Sequence, residues 1–210
     1  MFRDRLREVG TDVVACDQTV VRGVVPVGKY TIAVLGGDGI GPEVTSEAVR
    51  TLKAIGKRFG HQFTFAEALV GQAAIVSEGG AISDATMALC AQVDAVLFGA
   101  VGGVGVGDPS ASAQPEQALF KLRRDLELFA NLRPVRPMTA LLSSATIKRD
   151  VLRGVDLVVV RELTGGLYYG QPSETRGEAG ARTAVDTMAY TETEIERILR
   201  YAFGLARTRR

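Results

Sequence analysis

Histidine and cysteine are almost missing from this 210-residue chain, and their scarcity removes several chemistries at once. Cys16 and Cys90 stand far apart with no histidine or second cysteine beside either, so there is neither a zinc-ligand spacing nor a disulfide framework. That usage fits a reducing, cytoplasmic compartment. The single histidine, His61, falls in a polar turn with no serine or cysteine nucleophile arranged around it, which argues against a Ser-His-Asp hydrolase. No apolar run approaches the roughly 20 residues needed to span a bilayer. An excess of one charge is lacking too: 25 Lys and Arg face 24 Asp and Glu, a formal net charge of +1. Nothing therefore draws the whole chain to nucleic acid or an anionic membrane. Arg207, Arg209 and Arg210 read as a helix-end feature, complementing the helix dipole, rather than as a nucleic-acid patch. A small molecule is the partner left by these exclusions.

The first 29 residues carry Asp4, Glu8, Asp12 and Asp17 among their arginines, which is unlike a transit peptide, and they read as an N-terminal extension. Strand and helix signals then alternate. Residues 31–35 (TIAVL) form a short apolar strand, and a helical pattern opened by Pro42 follows at Val44, Ala48, Leu52, Ile55 and Phe59. The intervening GGDGIG lacks the G-x-G-x-x-G spacing, and no acidic residue closes a second strand about 20 residues later, so a Rossmann fingerprint is rejected. Residues 63–69 read as a strand, 83–92 as a helix capped by Ser83 with Cys90 in its core, and 94–99 as another strand. The alternation predicts an α/β fold with a mainly parallel sheet and flanking helices. A glycine- and serine-rich loop, residues 100–114, leaves the end of a strand, where open α/β sheets bind ligands. Residues 155–160 (VDLVVV) are a buried strand that delivers Arg161 and Glu162, and Tyr168 follows across a glycine turn. Residues 171–184 are polar and read as a projecting arm, and Thr191 with Glu194 forms a capping box opening a last helix.

Residues 119–134, LFKLRRDLELFANLRP, hold the strongest chemical signal. Leu119, Leu122, Leu126 and Phe129 recur as one helix face, with Arg123 beside them, and Pro134 pushes Arg133 into an extended conformation with a helix end near Asn131. The two guanidinium forks would then converge on a carboxylate or phosphate. The residues alone leave a second reading open, in which both arginines are solvated surface side chains. Tyr168 likewise reads either as a proton donor or as a packed ring.

Four segments together resemble the 3-isopropylmalate dehydrogenases of the isocitrate/isopropylmalate dehydrogenase family: GDGIGPEV (37–44), FGAVGG (98–103), LFANLRP (128–134) and VRELTGGLYYG (160–170). Isocitrate dehydrogenases usually carry another segment in place of RELTGG. The resemblance implies that Arg123, Arg133 and Arg161 hold the carboxylates of a malate-type substrate, that Leu119 packs on its isopropyl group, and that Tyr168 assists proton transfer. It implies NAD as cofactor, approached by Gly103, Val104, Gly105, Asp108 and Glu116, although the family's usual Pro-Lys-Trp is here Val104, Gly105 and Val106. A divalent Mg or Mn is implied as well, with no ligand to it in these residues, and so is a homodimer. Family members continue through a lysine, three metal-binding aspartates and an adenosine-binding loop beyond the matching text. The expectation is therefore an incomplete two-domain architecture: 1–29 an extension, 30–128 the first part of one domain, 129–210 the first part of the second. The chain by itself is expected to be nearly inactive, with unpaired strand edges. Two alternatives stand beside this: a β-decarboxylating dehydrogenase for tartrate, isocitrate or homoisocitrate, against which the apolar Leu119 speaks, and a non-catalytic dicarboxylate-binding module.

Overall fold

The computed structural model describes residues 27–102 and 113–209, which form two compact units, 27–122 and 123–209. The first is built on three strands, β1 (Lys29–Gly37), β2 (Gln62–Glu67) and β3 (Ala95–Ala100), in the order β2-β1-β3 and all parallel. The continuous apolar run explains the central position of β1: Ile32, Ala33, Val34 and Leu35 are all buried, as a strand covered on both faces requires. Helix α1 (Gly41–Phe59) has Pro42 in its first turn and ends on Gly60, whose φ of 84° is the left-handed stop that glycine adopts freely. Helices α2 (Gln72–Glu78) and α3 (Asp84–Gln92) carry the chain from β2 to β3, and the Ser83 hydroxyl caps α3 by accepting the Thr86 N–H at 3.3 Å. Val70, Ala74, Met87, Cys90 and Val93 complete this core.

The strand order reverses at β1, so the crevice at the carboxyl ends of β1 and β3 is the switch point of the sheet. Here the Asp38 carboxylate accepts the backbone N–H groups of Gln72 (2.8 Å), Ala73 (3.0 Å) and Gly102 (3.0 Å), tying three strand-end loops together. Gly37, at φ 75°, lies so close to the Ala100 carbonyl that a Cβ would collide with it, so the GGDGIG glycines serve close strand approach as well as turning.

The second unit continues from helix α4 (Gln117–Asp125), which begins in the first, into β4 (Ala130–Val135). A 3-10 turn (Thr139–Ser144) and the short helix α5 (Arg149–Leu152) lead to β5 (Leu157–Glu162), antiparallel to β4. The parallel arrangement thus belongs to the first unit. A second 3-10 turn (Gly166–Tyr168) precedes an exposed antiparallel hairpin, β6 (Glu174–Arg176) and β7 (Thr183–Val185), where the sequence predicted a projecting arm. Helix α6 (Glu192–Thr208) opens with the full Thr191–Glu194 capping box. Among the described residues both edges of the β4–β5 pair are unpaired, and Leu132, Val135, Leu157 and Val159 are exposed on it. No helix among the described residues is long and apolar enough to cross a membrane.

Two boundaries differ from the sequence reading. The strand read as a buried run over 155–160 is β5 at Leu157–Glu162, with Arg161 and Glu162 inside it and Leu157 and Val159 exposed. The helix expected to reach Asn131 stops at Asp125, and Asn131 lies inside β4. Leu128 N–H donates to the Arg123 carbonyl at 2.8 Å and Glu127 N–H to the Arg124 carbonyl at 3.2 Å, with Glu127 at φ 53°. This is a Schellman ending with glutamate in the left-handed position that glycine normally takes. Glycine was the missing signal.

Candidate active site

The Schellman turn and the strand register assemble the arginines. In the β4–β5 pair Asn131 stands opposite Arg161 and Arg133 opposite Val159. Directly opposed residues share a face, so Arg133 and Arg161 emerge on the same side, diagonal to each other at the roughly 7–8 Å spacing of such positions. Arg133 Nε donates to Asn131 Oδ1 at 2.8 Å, which orients its fork along that face. Arg123 sits in the last turn of α4, half-buried, where the chain doubles back into β4.

Tyr168 comes back to the same place from beyond the Gly165–Gly166 turn. The Arg161 guanidinium carbon lies 5.3 Å from the centre of the Tyr168 ring, and the phenol remains largely exposed. A hydrogen bond from Arg161 and its positive charge, with further help from Arg123 and Arg133, hold the Tyr168 phenol below the ordinary tyrosine range. Burial lowers the Arg123 guanidinium from its ordinary value; the Tyr169 phenol opposes the shift, the Arg161 charge adds to it, and Tyr168 and Arg133 follow with smaller opposite effects. The group stays charged, since arginine does not deprotonate in proteins.

Among the described residues no ion pair joins Arg123, Arg133 or Arg161 to a carboxylate. Arginines elsewhere in the unit do have carboxylate partners: Arg136 and Arg209 share Asp156, and Arg197 meets Glu162. Three guanidinium forks with no carboxylate partner among the described residues, beside an acidified phenol, form a cationic cluster whose donor geometry suits a multiply charged carboxylate.

The structure therefore brings together Arg123, Arg133, Arg161 and Tyr168, all in the second unit. Leu119, half-buried, lies one turn before Arg123 on α4, and Glu116 lies in the turn that opens this helix. Glu116 Oε1 is 3.6 Å from where a Cβ on Gly102 would stand. Gly103, Val104, Gly105 and Asp108 fall outside the described residues. Sequence reasoning missed Asn131, which steadies Arg133, and the charged pair behind Tyr168, Glu162 with Arg197. Glu162 stood in view beside Arg161, but Arg197 is 35 residues away on another element, and no local signal links the two.

A family model described as isocitrate/isopropylmalate dehydrogenase matches residues 31–210. The chain is 53% identical over 184 residues to a 3-isopropylmalate dehydrogenase of Geobacillus kaustophilus, covering 88% of this chain and 50% of that protein. It is 46% identical to a 3-isopropylmalate dehydrogenase of Aquifex aeolicus over 182 residues, 87% of this chain and 50% of the relative. Among solved structures it resembles an isocitrate dehydrogenase of Methylococcus capsulatus, with a TM-score of 0.63 and 30% identity over 85% of this chain and 48% of that one. A β-decarboxylating dehydrogenase of Thermococcus kodakarensis gives 0.61 and 31% over 86% and 46%. The chain spans about half the length of the curated relatives it matches.

Proposed function

The chain belongs to the isocitrate/isopropylmalate dehydrogenase family, and on that footing we propose that its second unit recognises 3-isopropylmalate for NAD-dependent oxidative decarboxylation to 4-methyl-2-oxopentanoate, a step of leucine biosynthesis. The observation that carries this reading is the convergence of Arg123, Arg133 and Arg161 beside Tyr168, with no carboxylate partner among the described residues. Two substrate carboxylates supply the missing negative charge, and bidentate forks fix their orientation, which converts binding energy into positioning of the reacting carbons. Leu119, on the same helix as Arg123, is assigned to the isopropyl group by resemblance alone. An apolar side chain there disfavours isocitrate or tartrate, whose extra carboxylate or hydroxyl would lose its hydrogen bonds.

NAD, when bound, accepts the hydride leaving C2 of the substrate. Glu116, beside Gly102, is the described residue assigned to its approach, with Gly103, Val104, Gly105 and Asp108 assigned by resemblance alone. Mg or Mn is likewise a family expectation; among the described residues no three His, Cys, Asp or Glu are grouped to hold a metal ion, and the roles given to this chain are recognition and proton transfer. After the β-carboxylate leaves as carbon dioxide, the bonding pair remains on the substrate as an enolate. Arg161 stabilises the phenolate that forms as Tyr168 gives its proton to the enolate carbon, which lowers the cost of the transfer. The whole protein is assigned to the cytoplasm as a homodimer, with the β6–β7 hairpin as a contact between copies.

Calorimetric titration of 3-isopropylmalate into the chain tests the recognition half. Saturable binding that disappears in Arg123→Ala and Arg161→Ala is expected. A folded chain that takes up no dicarboxylate would leave the arginines without this role.

A further inference from the structure

Glu162 is spent on neither recognition nor proton transfer, yet its carboxylate is one of the best-supplied acceptors in the second unit. Its side chain is 10% exposed. It accepts the backbone N–H of Thr164 at 2.7 Å and of Gly165 at 2.8 Å, takes the Thr164 hydroxyl as well, and faces the Arg197 guanidinium at 3.3 Å. Strand alternation separates it from its neighbour: Arg161 leaves β5 on the ligand side, and Glu162 leaves it on the side of α6, where Arg197 stands over the Phe129 ring at 5.0 Å.

We propose that Glu162 is a positioning residue: its carboxylate fixes the 163–166 turn that carries Tyr168, and so sets where the phenol stands against Arg161. This deepens the reading of Tyr168 as the proton donor and rests on it. The turn has little freedom to find another course. Gly166 N–H donates to the Ala189 carbonyl at 2.9 Å, and Gly166 holds a φ of 76° that other residues rarely adopt. A Cβ on Gly165 would lie 2.8 Å from Tyr190 Cδ1, so the Tyr190 ring closes the outer side. Glu162 supplies the inner side. Two of its contacts are backbone N–H groups, so the requirement is for an acceptor oxygen at that depth; the ion pair with Arg197 fixes the acceptor in turn.

If Glu162 only fastened β5 to α6, its loss would lower stability without changing the surroundings of the Tyr168 phenol. The two roles separate in a pH titration of the full 210-residue chain labelled at tyrosine Cζ and followed by NMR, with Tyr168→Phe identifying the resonance. Glu162→Ala and Glu162→Asp, the latter keeping the charge but drawing the oxygens back by one carbon, are expected to raise the Tyr168 midpoint toward that of an ordinary tyrosine. Glu162→Gln, which keeps one acceptor oxygen in place, is expected to leave it near wild type. Should Glu162→Ala not fold, Glu162→Asp decides the matter. A folded Ala or Asp variant with an unmoved Tyr168 midpoint overturns the proposal. Titrating 3-isopropylmalate into the same samples keeps the two ideas apart: a wild-type chain that ignores the diacid while its Tyr168 still answers to Glu162 defeats the substrate reading alone.

Discussion

Arg161 and Tyr168, seven residues apart and separated by two glycines, meet with the guanidinium carbon 5.3 Å from the ring centre. The relationship makes the phenol a stronger acid in the fold than in the unfolded chain. Its sign is that of any acid held by a cation: the folded value is depressed, so ionisation adds stability as pH rises past that folded value and the contribution is lost as pH falls through it. The same shift has a chemical consequence, a proton more easily given.

Replacing Arg161 by lysine keeps the charge and removes the planar fork. The dissociation constant for 3-isopropylmalate is expected to rise at least about tenfold, roughly 1.4 kcal/mol, because a point charge cannot reproduce two parallel hydrogen bonds. Calorimetry reads this directly. Equal affinities in wild type and Arg161→Lys would mean that the site selects charge and not shape.

Three arginines without a carboxylate partner among the described residues repel one another in the free chain, so a filled site is expected to stabilise the fold. At one hundred times its dissociation constant the diacid should add about 2.7 kcal/mol, seen as a rise in Tm, and a monocarboxylate of the same carbon skeleton should add far less. Identical shifts from both would argue that one carboxylate does all the binding.

How much of this was legible beforehand follows from which interactions are local. The β1, α1 and α3 segments were readable because apolar runs, Pro42 and Ser83 act on their own neighbours. Arg123 and Arg133 were visible as a pair, but their convergence was expected from a helix ending near Asn131, whereas it arises six residues earlier, at a Schellman turn with no glycine to announce it. The alignment of Arg133 with Arg161 is a matter of β4–β5 register, which couples residues from two separate stretches of sequence. Glu162 with Arg197, and Asp38 with Gln72, Ala73 and Gly102, are long-range in the same way.

Glu127 at φ 53° is a test of that turn. A left-handed conformation costs a non-glycine residue about 1–2 kcal/mol, and more for a β-branched side chain. Glu127→Gly is expected to hold or raise the urea midpoint, and Glu127→Val to lower stability by about 1–2 kcal/mol relative to the glycine variant. Indistinguishable midpoints would show that the chain reverses some other way.

Acid should weaken the second unit through Glu162. Burial alone would raise its carboxyl, but the hydrogen bonds from Thr164, from the Gly165 and Thr164 backbone and from Arg197 outweigh it and leave it below the ordinary glutamate range. A depressed carboxyl contributes stability above the unfolded value and loses it as pH falls through the folded one, here from about pH 4 downwards. Comparing wild type with Glu162→Gln by circular dichroism across that range, the difference in stability is expected to shrink as pH drops; a difference independent of pH would assign the contribution to packing.

That no carboxylate among the described residues pairs with Arg123, Arg133 or Arg161 also bears on rates. A patch of unshielded positive charge attracts a dianion before contact, so capture should be fast in dilute buffer and slow steeply as salt shortens the reach of the field. Departure breaks short-range hydrogen bonds that salt screens little. Ionic strength would then act on the on-rate and leave the residence time nearly constant, and the protein would tell a dianion from a monoanion by how often each arrives as well as by how long each stays.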